Sequence, residues 1–297
     1  MRIGFSLPQL GNLARQPTGV ARFAREAEAL GAASLWVADR LLAPVEPTVG
    51  YGGGDTIPEE FNSIIDPFAA LTIAATVTET PLLGSNVLNA PWYPPAMLAR
   101  SLTTIDAISG GRLVAGFGSG WSPEEFQAAG IPMKERGRRL DEGLDALEQL
   151  WTVSPAEFHG KYWTVPATHA ELKPVQRPRP PIYLAGFSPA AMRRVARRAD
   201  GWLPVVQFPG EIDPDAAITA PMNQIRRMAE EEGRDPAELD LILRVYPKAT
   251  ATVEDIITAI RRAEDEADVR HVLVDLMFLA RDVDHALEMA GTVLGSF

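Results

Sequence analysis

The chain contains no cysteine. That excludes disulfides, thiolate nucleophiles, zinc clusters and iron–sulfur centres. It has only four histidines, His159, His169, His271 and His285, far apart and without paired ligand spacing. No metal site is therefore expected. No run of 18 apolar residues occurs, and the opening MRIGFSLPQL has no long apolar stretch behind a basic patch. Neither a membrane span nor a signal peptide is expected, and the reading is cytoplasmic. Positive charge is also scarce: 28 Lys and Arg face 39 Asp and Glu, a formal charge of −11. With no basic stripe, nucleic acid and anionic membranes are poor partners.

What is present is a long, ordinary globular composition: 297 residues, 46% hydrophobic and 23% charged. Along it, short apolar runs alternate with helical periodicity. Strands are expected at 2–7, 34–38, 82–88, 112–117, 181–185, 201–206, 239–246 and 270–276, each followed by a helix. The first helix, 18–30, carries Val20, Phe23, Ala24, Ala27 and Leu30 on one face and ends at Gly31. Eight ordered strand–helix units predict an α/β fold, a (β/α)8 TIM barrel in a single domain over 1–297. A doubly wound open sheet is the runner-up. Insertions are expected after strands 2 and 4 and before strand 5. The first, 40–62, is rich in glycine and reads as a mobile lid. The last, 158–181, reads as an irregular proline-rich excursion.

In such a barrel the active site forms at the C-terminal ends of the strands. Asp39 ends strand two; it either faces the pocket as an acid–base group or caps a turn and pairs with a cation such as Arg40. Ser85, Asn86 and Val87 interrupt strand three with polar groups, which suggests a bulge beside the site. They could equally be interior residues bonded to neighbouring strands. After strand four comes GFGSGW, with Gly118, Ser119, Gly120 and Trp121. This is only superficially a dinucleotide fingerprint, since the third glycine and the later acidic residue are missing. A second glycine-bearing strand end, Ala185-Gly186-Phe187-Ser188, opens directly into a helix whose free N–H groups suit a phosphate. Ser188-Pro189 could also be simply a helix cap. Trp92, Tyr93 and Trp121 could wall an apolar pocket.

Three segments together resemble the bacterial-luciferase-like superfamily: PAMLARSLTTIDAISGGRLVAGFGSGWSPEEFQAAGI (95–131), FHGKYW (158–163) and PPIYLAGFSPAAMRRVARRADGWLP (180–204). Within it the chain looks most like the coenzyme F420-dependent oxidoreductases. The resemblance implies a (β/α)8 enzyme using F420, or alternatively FMN. It implies that Asp39 contacts the ring and that a non-prolyl cis peptide at Ser85-Asn86-Val87 backs it. It implies further that Gly118-Ser119-Gly120 line the cofactor and that Ala185-Gly186-Phe187-Ser188 receive its phosphate. Two positions depart from the sugar-phosphate dehydrogenases of that branch. Arg40 stands where they place a histidine, and Trp121 where they place a glutamate. Alcohol oxidation by their mechanism is therefore disfavoured, which leaves the substrate open: a small organic molecule is expected, on the larger and more apolar side beside Trp121, with Arg40, Trp92, Tyr93 and Trp121 as its pocket. An FMN monooxygenase using O2 and a partner reductase is the alternative. A non-redox barrel binding a phosphorylated metabolite is the third reading. Similar proteins are often homodimers.

Overall fold

A computed structural model describes residues 1–208 and 213–297. Its strands pair in parallel around a curled sheet. The first strand, Arg2–Ser6, lies between the second, Ser34–Val37, and the eighth, His271–Val274. The second pairs with the third, Leu82–Ser85, the third with the fourth, Leu113–Gly118, and the fourth with the fifth, Ile182–Leu184. The sixth is broken at Leu203-Pro204 into Gly201–Trp202 and Val205–Phe208. Proline has no N–H to give to a ladder. The seventh is likewise in two pieces, Asp240–Leu241 and Leu243–Pro247, and both pieces pair with the sixth. Its upper piece then pairs with the eighth. The pairings thus return to their start, as βαβ crossovers in one direction require.

Side-chain size explains the two cores. Inward-facing Trp36, Val114, Tyr183, Leu203, Ile242 and Leu273 fill the space within the curled sheet. Outside it, the opposite faces of the strands meet the helices, and helix Gly19–Ala29 buries Val20, Phe23, Ala24 and Ala27, as its periodicity predicts; Leu30, expected on the same face, is the C-cap and stands 45% exposed, because the helix ends there. Gly31 follows at φ +98°, a conformation that glycine adopts without penalty. Helix Pro67–Val77 is capped by Asp66, whose side chain accepts from the Ala69 N–H at 2.8 Å.

Three segments add detail to the sequence reading. The third strand stops at Ser85 instead of running to 88, and the chain resumes as Leu88–Asn89 against the fourth; the non-prolyl cis peptide between them, at Asn86-Val87, falls within the expected Ser85-Asn86-Val87. The excursion expected at 158–181 begins as an antiparallel hairpin, Ala156–His159 with Thr164–Thr168. Its turn is held by Glu142, which accepts from the backbone N–H groups of Lys161, Tyr162 and Trp163. Segment 40–62 contains two short turns, Tyr51–Gly53 and Glu59–Asn62, and is tied at its start: Leu41 and Leu42 donate to Glu125, and Thr48 donates to Glu124. Among the described residues no helix is long and apolar enough to cross a membrane. Nor could any group of three His, Cys, Asp or Glu side chains among them hold a metal.

Candidate active site

A cavity of about 290 Å3 opens at the C-terminal ends of the strands. Strand two contributes Ala38, Asp39 and Arg40; the interrupted strand three contributes Asn86, Val87 and Asn89. Trp121 follows strand four, and Ala185, Gly186 and Phe187 follow strand five. Leu203, Val205 and Arg244 close the far side, and Tyr51 and Phe61 come from the segment after strand two. The volume lies at the small end of the range for small-molecule pockets, and the lining has their usual character: mostly apolar, with a few placed polar groups.

Asp39 is the carboxylate in this lining, and it is 6% exposed. The Asn89 N–H donates to its Oδ2 at 2.8 Å, and the Tyr93 hydroxyl donates to its Oδ1 at 3.0 Å. Asn89 Nδ2 also donates to the Asp39 carbonyl at 3.0 Å, pinning strand two to the resumed strand three. Burial disfavours the charged carboxylate and pushes its pKa up to about 7, against the opposing pull of the Asn89 and Tyr93 hydrogen bonds. Nearby Glu125 and Asp66 push in the same direction as burial. The group therefore changes charge near neutral pH, which is what acid–base work requires.

Arg40 is not the partner of Asp39. Its Nε lies 3.3 Å from Glu125 Oε1, with both side chains almost wholly buried. Its guanidinium sits 5.0 Å from the Phe61 ring centroid and 4.6 Å from that of Trp121. Stacking between two rings favours a planar cation. Burial pushes the Glu125 carboxyl up, while Arg40 and the N–H groups of Leu41 and Leu42 pull it back.

The glycines of GFGSG have a packing reason. A Cβ on Gly116 would lie 1.8 Å from the Ser85 carbonyl oxygen, and one on Gly118 would lie 2.5 Å from Val87 Cγ2. The strand-three interruption needs that space. Ser85 is itself committed: its hydroxyl donates to the Gly116 carbonyl at 2.7 Å and accepts from the Gly116 N–H at 3.1 Å. Gly120 stands at φ +73°. Ser85, Gly118, Ser119 and Gly120 do not line the cavity, although Asn86 and Val87, which the glycines make room for, do. Trp92 packs edge-on to Phe126, and Tyr93 stands behind Asp39; neither lines the cavity. Ser188 accepts from the Ala191 N–H at 3.2 Å and caps helix Pro189–Arg198 just beyond the lining residue Phe187.

The profile of the luciferase-like monooxygenase family matches residues 1–290. The chain belongs to that family. An uncharacterised protein of Mycobacterium tuberculosis is 32% identical over 223 residues, covering 74% of each chain. An FMNH2-dependent dimethylsulfone monooxygenase of Pseudomonas putida is 35% identical over 164 residues, 54% of this chain and 42% of that one. An F420-dependent glucose-6-phosphate dehydrogenase of Amycolatopsis mediterranei is 29% identical over 195 residues, 63% and 53% of the two chains. The fold matches the crystal structure of monooxygenase RslO1 from Streptomyces bottropensis, with a TM-score of 0.80 at 22% identity, covering 100% of this chain and 97% of that one. It also matches an F420-dependent secondary alcohol dehydrogenase, with a TM-score of 0.75 at 17% identity, covering 99% and 98%. The luciferase-like family thus holds oxidoreductases and monooxygenases with both F420- and FMN-dependent members.

In this luciferase-like chain, sequence reasoning missed the cavity residues Tyr51, Phe61 and Arg244. Arg244 lies inside the seventh strand rather than at its end, so a list of strand ends passes over it. An arginine amid LILRVYP was the available signal, because a buried cation in a barrel strand needs a partner. Tyr51 and Phe61 lie in the segment read as a lid, and only their being aromatic set them apart.

Proposed function

We propose that the protein is an oxidoreductase that binds a deazaflavin, coenzyme F420, in this cavity and moves a hydride between it and a small, apolar-bodied organic substrate. One observation carries the reading. A single cavity joins the shielded Asp39 carboxyl, the interruption at Asn86-Val87 and the backbone turn at Ala185-Gly186-Phe187. The residues suit a flat, polar-edged ring. Val87, Leu203 and Phe187 offer apolar surface, and Asn86 Nδ2 is a buried donor with no hydrogen-bond partner among the described residues. A buried unpaired donor is costly unless a ligand takes it. When bound, the deazaflavin supplies two-electron hydride chemistry; the protein supplies position and electrostatics.

In this reading Asp39 holds or releases a proton at a carboxyl oxygen on the cavity side, while the Tyr93 hydroxyl behind it donates to Oδ1 at 3.0 Å and steadies the charged form. Asn89 fixes the carboxyl's orientation. Ser188 and the free N–H groups of its helix receive the phosphate at the cavity rim. F420 is preferred over FMN on the resemblance of residues 95–131 and 180–204, and on the longer aligned stretch of the relative named as F420-dependent. The higher identity of the relative named as FMNH2-dependent supports the second reading, an FMN monooxygenase fed by a separate reductase.

The test is direct titration with F420 and FMN, oxidised and reduced, followed by absorbance and fluorescence. F420 should bind at least tenfold more tightly, a gap of about 1.4 kcal/mol. Equal or reversed affinities promote the monooxygenase reading. Binding of neither sinks both and leaves the non-redox barrel.

A further inference from the structure

We propose that the substrate is a flat carboxylate, read by Arg40 and Arg244 at the two ends of an aromatic wall. That the ligand is a substrate rests on the oxidoreductase reading; the anion site itself does not.

The wall is continuous. Arg40 lies over the Trp121 ring at 4.6 Å, and Tyr51 lies 5.6 Å from Trp121 and 5.9 Å from Tyr246. Arg244 lies over the Tyr246 ring at 4.6 Å. Both arginines and both of Tyr51 and Trp121 line the same cavity. A run of rings with a guanidinium at each end favours a planar body with an accepting oxygen.

Neither guanidinium is saturated. Arg40 donates from Nη2 to the Leu42 carbonyl at 3.1 Å and its Nε faces Glu125 at 3.3 Å, but its Nη1 is buried without a hydrogen-bond partner among the described residues. Its ion-pair partner, Glu125, is already engaged by the N–H groups of Leu41 and Leu42. Arg244 donates from Nη2 to Asp275, and its Nε is likewise buried and unpartnered among the described residues. Leaving charged N–H groups buried and unmet is expensive, and a planar fork matches a carboxylate two bonds at a time. A carboxylate also fits the charge count. Glu125 and Asp275 each offset one arginine in part, so the pocket suits a monoanion better than a phosphate dianion. Asp39, the carboxylate within the lining, is kept largely neutral below about pH 7 by burial and so does not repel an incoming anion there.

Two matched probes test this in the folded wild-type protein: trans-cinnamate and trans-cinnamamide, titrated by calorimetry at pH 6 with and without saturating F420. Cinnamate should bind at least tenfold more tightly than the amide. Arg40→Gln alone would strand the buried Glu125, so the charge-balanced Arg40→Gln/Glu125→Gln protein is the first variant, and it should cut that preference at least threefold. Arg244→Gln leaves Asp275 without its cation and is prone to unfold, so the charge-balanced Arg244→Gln/Asp275→Asn protein is the second variant; it too should cut the preference at least threefold. Equal binding of acid and amide by the wild-type protein overturns the proposal. So does a preference that survives intact in both variants, since the anion would then bind elsewhere. The two readings fail separately. A carboxylate preference in a protein that binds neither F420 nor FMN upholds the anion site and removes the oxidoreductase. Cofactor binding without the preference does the reverse.

Discussion

The Tyr93 hydroxyl and the Asp39 carboxyl are 3.0 Å apart, with the Asn89 N–H fixed on the other carboxyl oxygen at 2.8 Å. When Asp39 is neutral its proton can point to Tyr93, whose hydroxyl can turn to accept it. An asparagine reproduces that state: Oδ1 accepts from Asn89 and Nδ2 donates to Tyr93. The pKa of Asp39 is about 7 in the folded protein and about 3.9 in an unfolded chain. Because the folded value is raised, its contribution to stability is fully present below about pH 4 and is lost as pH rises through 7. Asp39→Asn should therefore gain stability relative to wild type between pH 4 and 8, on the order of a few kcal/mol. Urea unfolding at several pH values measures the difference, and one that stays flat across this range refutes the assignment.

A second buried titration runs the other way. Ser34 Oγ accepts from Trp36 Nε1 at 2.7 Å and lies 2.8 Å from His271 Nε2, so the Ser34 proton is free to go to an unprotonated imidazole. Burial, reinforced by the charge of Arg2 and opposed by Asp240, presses the His271 pKa down to about 4. A depressed folded pKa contributes stability that is present above about pH 6.5 and is lost as pH falls through 4. The slopes of His271 and Asp39 oppose each other between about pH 4 and 6.5. Titration of the ring signals by NMR should find His271 still neutral at pH 5; a midpoint above 5.5 is incompatible with this arrangement.

Glu125 carries two structural duties. It offsets Arg40 at 3.3 Å and holds the start of the 40–62 segment through Leu41 and Leu42. Glu125→Gln keeps an acceptor for the backbone but leaves the Arg40 charge buried without its counter-ion. Breaking one side of a buried pair costs roughly 3–5 kcal/mol. Denaturant unfolding should show a loss of that order, and exchange of the amides of 41–48 should speed up. A variant as stable as wild type would mean that Arg40 finds its compensation elsewhere.

The sequence exposed periodicity well and interiors poorly. The eight strand positions and the face of helix Gly19–Ala29 were legible because a period of 2 or 3.6 maps directly onto burial. The polar interruption Ser85-Asn86 was legible for the same reason: it breaks an apolar run. The glycines of GFGSG were legible as glycines but not as to what they approach. Their neighbours are Ser85 and Val87, some 30 residues earlier, and contacts between strands leave no local trace. The hairpin at FHGKYW was hidden in the same way, because what organises it is the single carboxylate of Glu142 on a helix before it. Arg244 escaped because it lies within a strand, whereas the site was sought at strand ends.

The phosphate reading of the 185–188 turn needs a variant that changes charge and nothing else. Gly186 is the wrong place. It stands at φ +135°, and a Cβ there would lie 2.5 Å from Ala191 Cβ, so Gly186→Asp would disturb the turn before its charge could be read. Ser188 is the better site. It is exposed, it caps helix Pro189–Arg198, and its side-chain oxygen accepts from the Ala191 N–H at 3.2 Å. Aspartate caps a helix about as well as serine and gains from the helix dipole, so Ser188→Asp should leave stability unchanged to within about 0.5 kcal/mol. Its carboxylate would then occupy the place assigned to the cofactor phosphate. Cofactor affinity should fall at least tenfold at low ionic strength, and the deficit should shrink as salt screens the two charges, to which water has access at this rim. Ser188→Ala, which loses the cap but adds no charge, should cost about 1 kcal/mol of stability and far less affinity. If Ser188→Asp binds cofactor as wild type does at every salt concentration, the phosphate does not sit at this helix end.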